Sequence, residues 1–263
     1  MRITMSPQDY ATAFRLLSET SRHPENIAEA IRQRIVPELP DSPSLLDVGA
    51  GPGAVAERLA PCFGAMTLIE PNAAQLGSFA PAGAEIVRDV FERFESSRRY
   101  DLVLCSHVLY HVPVAQWGGF IDRLLAFVRP AGYCAVVLGA DRGQNYEMHR
   151  DFTSTVIDSS LLIRTLRGKQ LAFDVIGSHN AYTAATFEDM VTLCRFFVLA
   201  DCVSAEQLAA MTETEARELD AKIREHAARC RTDDGTYRLS QEDDMIILRQ
   251  GASLSAAAPS TAS

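Results

Sequence analysis

Residues 45–60 read LLDVGAGPGAVAERLA, an apolar run ending at Val48, a turn holding Gly49, Gly51 and Gly53, and then a helix-forming stretch. A strand that breaks at glycines and resumes as a helix is the opening unit of a layered α/β sheet. The glycines let the backbone adopt positive φ and let a ligand approach the main chain, beside the unpaired amides of the helix start. Taken alone the turn is ambiguous, because Gly49, Gly51 and Ala54 also satisfy a G-x-G-x-x-G/A dinucleotide fingerprint.

The rhythm around it supports the sheet. SLLDVG (44–49), MTLIE (66–70), AEIV (84–87), YDLVLCS (100–106) and YCAVVLG (133–139) are short apolar runs separated by helical patterns, as expected of parallel strands covered on both faces. LAFDVIG (171–177) and DMIILR (244–249) predict two further strands. Ahead of the sheet, Pro7 at a first helical position with Tyr10, Phe14 and Leu17 at helical spacing predicts one helix. Ile27, Ile31 and Ile35 predict a second that stops near Pro37. Thr186 with Asp189 and Ser204 with Gln207 signal at least two capped helices before the last strand. The expected organisation is one domain over 1–250, with a core at 41–140 plus strands near 171–177 and 244–249, a helical cap from 1–38 and 181–235, and a disordered tail at 251–263.

Carboxylates decide what the glycine turn is for. Asp47 lies just before the glycines, where it can reach a cationic ammonium but would repel a pyrophosphate lying on the same turn. The next strand ends in Glu70, 21 residues after Gly49, at the position that accepts from the two hydroxyls of a ribose. The third strand ends at Asp89, placed to accept from an exocyclic adenine amine, and the fourth ends at Ser106. An ammonium, a ribose and an adenine partner on successive strands describe one ligand, S-adenosylmethionine.

On these motifs the chain resembles the class I S-adenosylmethionine-dependent methyltransferases. The resemblance implies an α/β fold, a Rossmann-like seven-stranded sheet whose last strand is antiparallel, with N-terminal and C-terminal helical insertions capping the site. It implies that Asp47, Gly49, Ala50, Gly51, Gly53, Glu70, Pro71, Gln75, Asp89, Val90 and Ser106 hold the cofactor. RPAGY (129–133), as a turn before the fifth strand, is also typical of that family.

A closer resemblance, to histamine N-methyltransferase and its bacterial relatives, runs over nearly the whole length. It is carried by YATAFRLLSET (10–20), IEPNAAQ (69–75), SHVLYHV (106–112) and GTYRLSQEDDMIIL (235–248). It implies that His107, Tyr110 and Tyr10 serve the chemistry and that Phe14, His111 and Gln241 line the substrate pocket. The chain departs from that pattern at His107, where the family has a glutamine, and at Arg22-His23-Pro24, where it has a carboxylate.

The chemistry expected is methyl transfer to a small amine or other N or O nucleophile, with roles in secondary metabolism. It needs an in-line approach at about 3 Å and no metal. An amine must arrive unprotonated, and Tyr10, Phe14 and Tyr110 can offer cation–π contacts. Enzymes resembling this family also close the cofactor's own amine onto its γ-carbon, giving azetidine-2-carboxylate and methylthioadenosine, and this alternative stays open.

Other patterns exclude more than they suggest. A net charge of −9 with no basic run argues against nucleic acid and anionic lipid. No apolar run approaches the ~20 residues of a membrane span and no leader is apparent, so a cytoplasmic chain, monomeric or a weak homodimer, is expected. Six cysteines without a C-x-x-C pair read as reduced, mostly buried thiols. His107 and His111 stand four apart but leave a strand, which disfavours a shared metal. Asp141 to Gln144 read as a loop before a helix, His149 and His226 as exposed, and Glu242, Asp243 and Asp244 as a solvated turn. His179, Asn180 and Tyr182 follow the sixth strand at its end or edge.

Overall fold

The computed structural model describes residues 7–72 and 81–253. Among them, β1 (Ser44–Val48), β2 (Ala65–Ile69), β3 (Glu85–Val87), β4 (Tyr100–Ser106), β5 (Val128–Gly139), β6 (Leu171–Ala184) and β7 (Tyr237–Ser253) form one sheet in the order β3-β2-β1-β4-β5-β7-β6. The last strand of the chain, β7, is antiparallel, which gives the Rossmann-like methyltransferase sheet. The helices are α1 (Pro7–Thr20), α2 (His23–Arg34), α3 (Ala54–Leu59), α4 (Trp117–Ala126), α5 (Gln144–Phe152), α6 (Ser159–Gly168), α7 (Phe187–Phe197), α8 (Ala205–Ala210) and α9 (Glu213–Arg229). None of the described helices is long and apolar enough to cross a membrane.

The described chain forms two compact units, each with its own core. The sheet unit takes in 24–72, 81–138, 158–178 and 243–253. Every residue of β1 is buried, as a strand covered on both faces must be. Ile27, Ala28, Ile31 and Ile35 line the face of α2 and its extension that joins Leu45, Leu68, Leu102 and Leu104 in this core. The helical unit takes in 7–23, 139–157 and 179–242. Its core gathers Leu16, Met148, Met190, Leu193, Val198, Ile223 and Leu239.

Register places the ends of the parallel strands. Val48 pairs with Ile69 on one side and with Cys105 on the other. The next residues, Gly49, Glu70 and Ser106, therefore stand side by side at the carboxyl ends of these strands. The strand order reverses between β1 and β4, and such a switch point is where open α/β sheets bind ligands.

Several expectations change. β6 and β7 extend well past 171–177 and 244–249, so residues 181–184 are strand rather than helical cap, and 251–253 are strand rather than tail. RPAGY lies inside β5, where the pairing with β4 shifts register and Ala131 takes a φ of 63°. His149 and His226 are not exposed; each side chain keeps 11% of its accessible surface. The acidic run is not a solvated turn: it sits within β7, with Asp243 0% and Asp244 4% exposed. Asp244 is stabilised there by accepting from Ser159 Oγ at 2.6 Å. The caps at Thr186 and Ser204 form as read, and a third, Thr212 with Glu215 on α9, forms a capping box as well.

Candidate functional site

The glycine turn is built by conformations other residues resist. Gly49, Gly51 and Gly53 have φ of 70°, 54° and 84°. The Gly49 and Ala50 N–H groups both donate to Ile69 O, at 2.8 and 3.0 Å, tying the turn to the end of β2. A Cβ on Gly49 would stand 2.3 Å from Val108 Cγ2, so the segment after β4 packs directly onto the turn.

Glu70 is pinned beside it. Its Oε2 accepts from Gly51 N–H at 2.9 Å and its Oε1 from Asn72 N–H at 2.8 Å, and the residue is 7% exposed. A carboxylate offers about four acceptor positions, so each oxygen keeps capacity for a hydroxyl donor. Asp47 lies within β1, 3% exposed, and its side chain makes no hydrogen bond or ion pair among the described residues. Burial pushes its carboxyl up to about 7, and the charge of Glu70 adds to the effect. Pro71 follows Glu70 on the surface.

Asp89, beyond β3, already has partners. Its Oδ1 accepts from Arg93 Nε at 2.8 Å and from Val90 N–H at 2.7 Å. The Arg93 guanidinium first, and the Val90 amide second, hold its carboxyl below the usual range. An adenine amine at Asp89 would have to share it with Arg93.

Ser106 closes β4 opposite Val137, and His107 N–H donates to Val137 O at 3.0 Å. His107 then takes a φ of 56°, a left-handed conformation uncommon outside glycine. Its ring stacks on Tyr110, centroids 5.7 Å apart and planes within 17°. Its Nε2 lies 3.9 Å from Asp243 Oδ1. His111 ends the short 3₁₀ turn Leu109–His111 and is exposed, while Trp117 Nε1 donates to Val112 O at 2.9 Å and holds the segment in place. Asp243 is the residue that sequence reading missed, because three consecutive acids read as a turn. The strand read from DMIILR begins at Asp244, one residue past it, and β7 extends that strand back through Asp243.

Three expected contacts belong to the helical unit. Tyr10 and Phe14 stand four apart on α1, at helical same-face spacing. Gln241, 9% exposed, accepts from Asn145 Nδ2 and donates from Nε2 to Glu242 O at 3.2 Å. Gln75 lies outside the described residues.

The fold defines a class, the Rossmann-like methyltransferases dependent on S-adenosylmethionine. Residues 20–190 match the family model described as a methyltransferase domain, and the chain belongs to that family. Solved structures share the fold at low identity. A Bacillus halodurans C-125 protein assigned as a methyltransferase is 16% identical, with 86% of this chain and 99% of that one covered and a TM-score of 0.55. The YcgJ protein from Bacillus subtilis is 13% identical, with 86% and 98% covered and a TM-score of 0.54. The N-methyltransferase NodS from Bradyrhizobium japonicum WM9, solved with S-adenosyl-L-homocysteine, is 13% identical, with 88% and 86% covered and a TM-score of 0.51. No curated protein matches the chain significantly.

Proposed function

We propose that this chain binds S-adenosylmethionine at the carboxyl ends of β1, β2 and β4 and directs methyl transfer to a small N or O nucleophile. The observation that carries the reading is the Glu70 carboxylate, held by the Gly51 and Asn72 amides beside the unpartnered Asp47. Asp47 would meet the ammonium and ionise on doing so, Glu70 would accept from the ribose hydroxyls, and the turn at Gly49, Ala50, Gly51 and Gly53 would seat the ligand against main chain. Pro71, Asp89, Val90, Ser106 and Gln75 complete the proposed cofactor set. Bound there, the cofactor supplies an electrophilic methyl on a sulfonium.

The chain's own task is then positioning and proton removal. Holding the nucleophile near 3 Å on the sulfur–carbon axis accounts for most of the rate such a site needs. His107 Nε2 takes the acceptor's proton in this scheme, and the charge of Asp243 at 3.9 Å favours the imidazolium that forms. Stacking on Tyr110 fixes the ring plane. Tyr10, Phe14, His111 and Gln241 are the proposed acceptor contacts, by resemblance to histamine N-methyltransferase. His107 and Arg22-His23-Pro24 depart from that family's pattern, so the proposed acceptor is a small amine or related nucleophile other than histamine. We place the chain in the cytoplasm, as a monomer or weak homodimer without nucleic-acid or membrane partners.

The test is calorimetric titration of S-adenosylmethionine followed by mass spectrometry of products. Wild-type protein should bind it and Glu70→Ala should bind about 10–100-fold more weakly, the loss of hydrogen bonds to a charged group. S-adenosylhomocysteine should form only when an acceptor is supplied. Methylthioadenosine from the cofactor alone would contradict methyl transfer, and unchanged affinity in Glu70→Ala would contradict the ribose assignment.

A further inference from the structure

The helical unit contains a cavity of about 440 Å³ between α5 and the end of α9, lined by residues of that unit alone. Its volume is in the range of small-molecule sites. None of the residues assigned above to cofactor or acceptor lines it, and the inference does not rest on the methyl-transfer reading.

The lining divides by what each group is already doing. Leu239 and Cys230 are 1% and 5% exposed and supply the apolar part of the lining. Asp151 is committed to His226, whose Nε2 lies 2.9 Å from Asp151 Oδ2. Burial lowers the His226 pKa more than that carboxylate raises it, so the pair brings one negative charge that is already shared. Arg229 is committed to Glu225, at 2.5 Å.

Gln144 is held by Ser240, whose N–H donates to Gln144 Oε1 at 2.8 Å, and two lining residues remain. Glu147 and Arg150 stand three apart on α5, the spacing at which opposite charges on a helix can pair. They do not pair: neither side chain makes a hydrogen bond or ion pair with any described residue, and Arg150 stacks over the Tyr146 ring at 5.9 Å instead. One anion and one cation whose side chains have no partner therefore share a cavity whose other polar groups are already paired.

We propose that this cavity binds a free α-amino acid with an unbranched apolar side chain. Arg150 would take the carboxylate, for which a guanidinium fork is suited, and Glu147 the ammonium. The aliphatic part would lie against Leu239 and Cys230. A simple anion would leave Glu147 repelling it, and a simple amine would leave Arg150 doing so.

L-norleucine is a suitable probe, because hexanoate lacks only its ammonium and pentylamine only its carboxylate. Calorimetry with the full chain should show norleucine binding at one site, and hexanoate and pentylamine each binding about tenfold or more weakly. Glu147→Gln and Arg150→Gln should each weaken norleucine about tenfold with unchanged melting temperature, since both positions are on the surface. Asp47→Asn should leave norleucine affinity unaltered. No binding to the wild type, hexanoate binding as tightly as norleucine, or affinity lost in Asp47→Asn but kept in Arg150→Gln would each overturn the proposal.

Discussion

The two ends of the central strands bury carboxylates in opposite ways. At the amino end of β1, Asp101 accepts from Ser44 N–H at 2.8 Å, Ser44 Oγ at 2.7 Å and Arg129 Nη1 at 2.9 Å. Burial works to raise its pKa, but those donors outweigh it and hold the group below the usual range. At the carboxyl end, Asp47 has no such donors, and burial pushes it up to about 7. Asp101 is complete as the chain folds, whereas in the proposed reading Asp47 is completed by the ammonium of the cofactor. A satisfied buried acid staples strands, and an unsatisfied one at a switch point marks a site.

Asp101→Ala should break that contrast most severely. Removing it strands the Ser44 donors and Arg129, and chemical denaturation should show a loss of about 3–4 kcal/mol, with cofactor affinity per folded molecule unchanged. Asp47→Asn should do the reverse. A raised pKa means stability that is present below the unfolded value of 3.8 and lost as pH rises through about 7. At pH 8 the ligand-free variant should therefore be more stable by about 3 kcal/mol, while binding the cofactor about 10–100-fold more weakly. Both measured on one sample would separate a site residue from a structural one.

Gly49→Ala should cost about 2 kcal/mol, because it forces a side chain into positive φ and against Val108. Cofactor affinity should fall with it, since the segment carrying His107 shifts as well. Thr212→Ala, which removes the cap of α9 in the helical unit, should cost about 1 kcal/mol by thermal melting and leave binding alone.

What sequence could and could not reveal follows the same division. β1, β2 and β4 were legible because strands covered on both faces are apolar throughout, as in SLLDV and YDLVLCS. The turn and its carboxylates were legible because glycine and acid sit at fixed distances from strand ends. β7 was half-read, because its buried acids look like a solvated turn until their partners are known. Ser159 for Asp244 and His107 for Asp243 come from distant sequence, and no local pattern announces them. His149 and His226 were misread similarly: helices packed on two sides bury polar residues that an amphipathic pattern assigns to solvent. His107 could be placed after β4, but its left-handed backbone could not be read from its neighbours.

In the proposed reading the ionised Asp47 carboxylate holds the cofactor's ammonium. Calorimetric titration of S-adenosylmethionine between pH 5.5 and 8, on the wild type and on Asp47→Asn, tests it most directly. The wild-type affinity relative to the variant should weaken by about tenfold per unit as pH falls below about 7 and level off above it. A ratio that stays constant across that range would contradict the account.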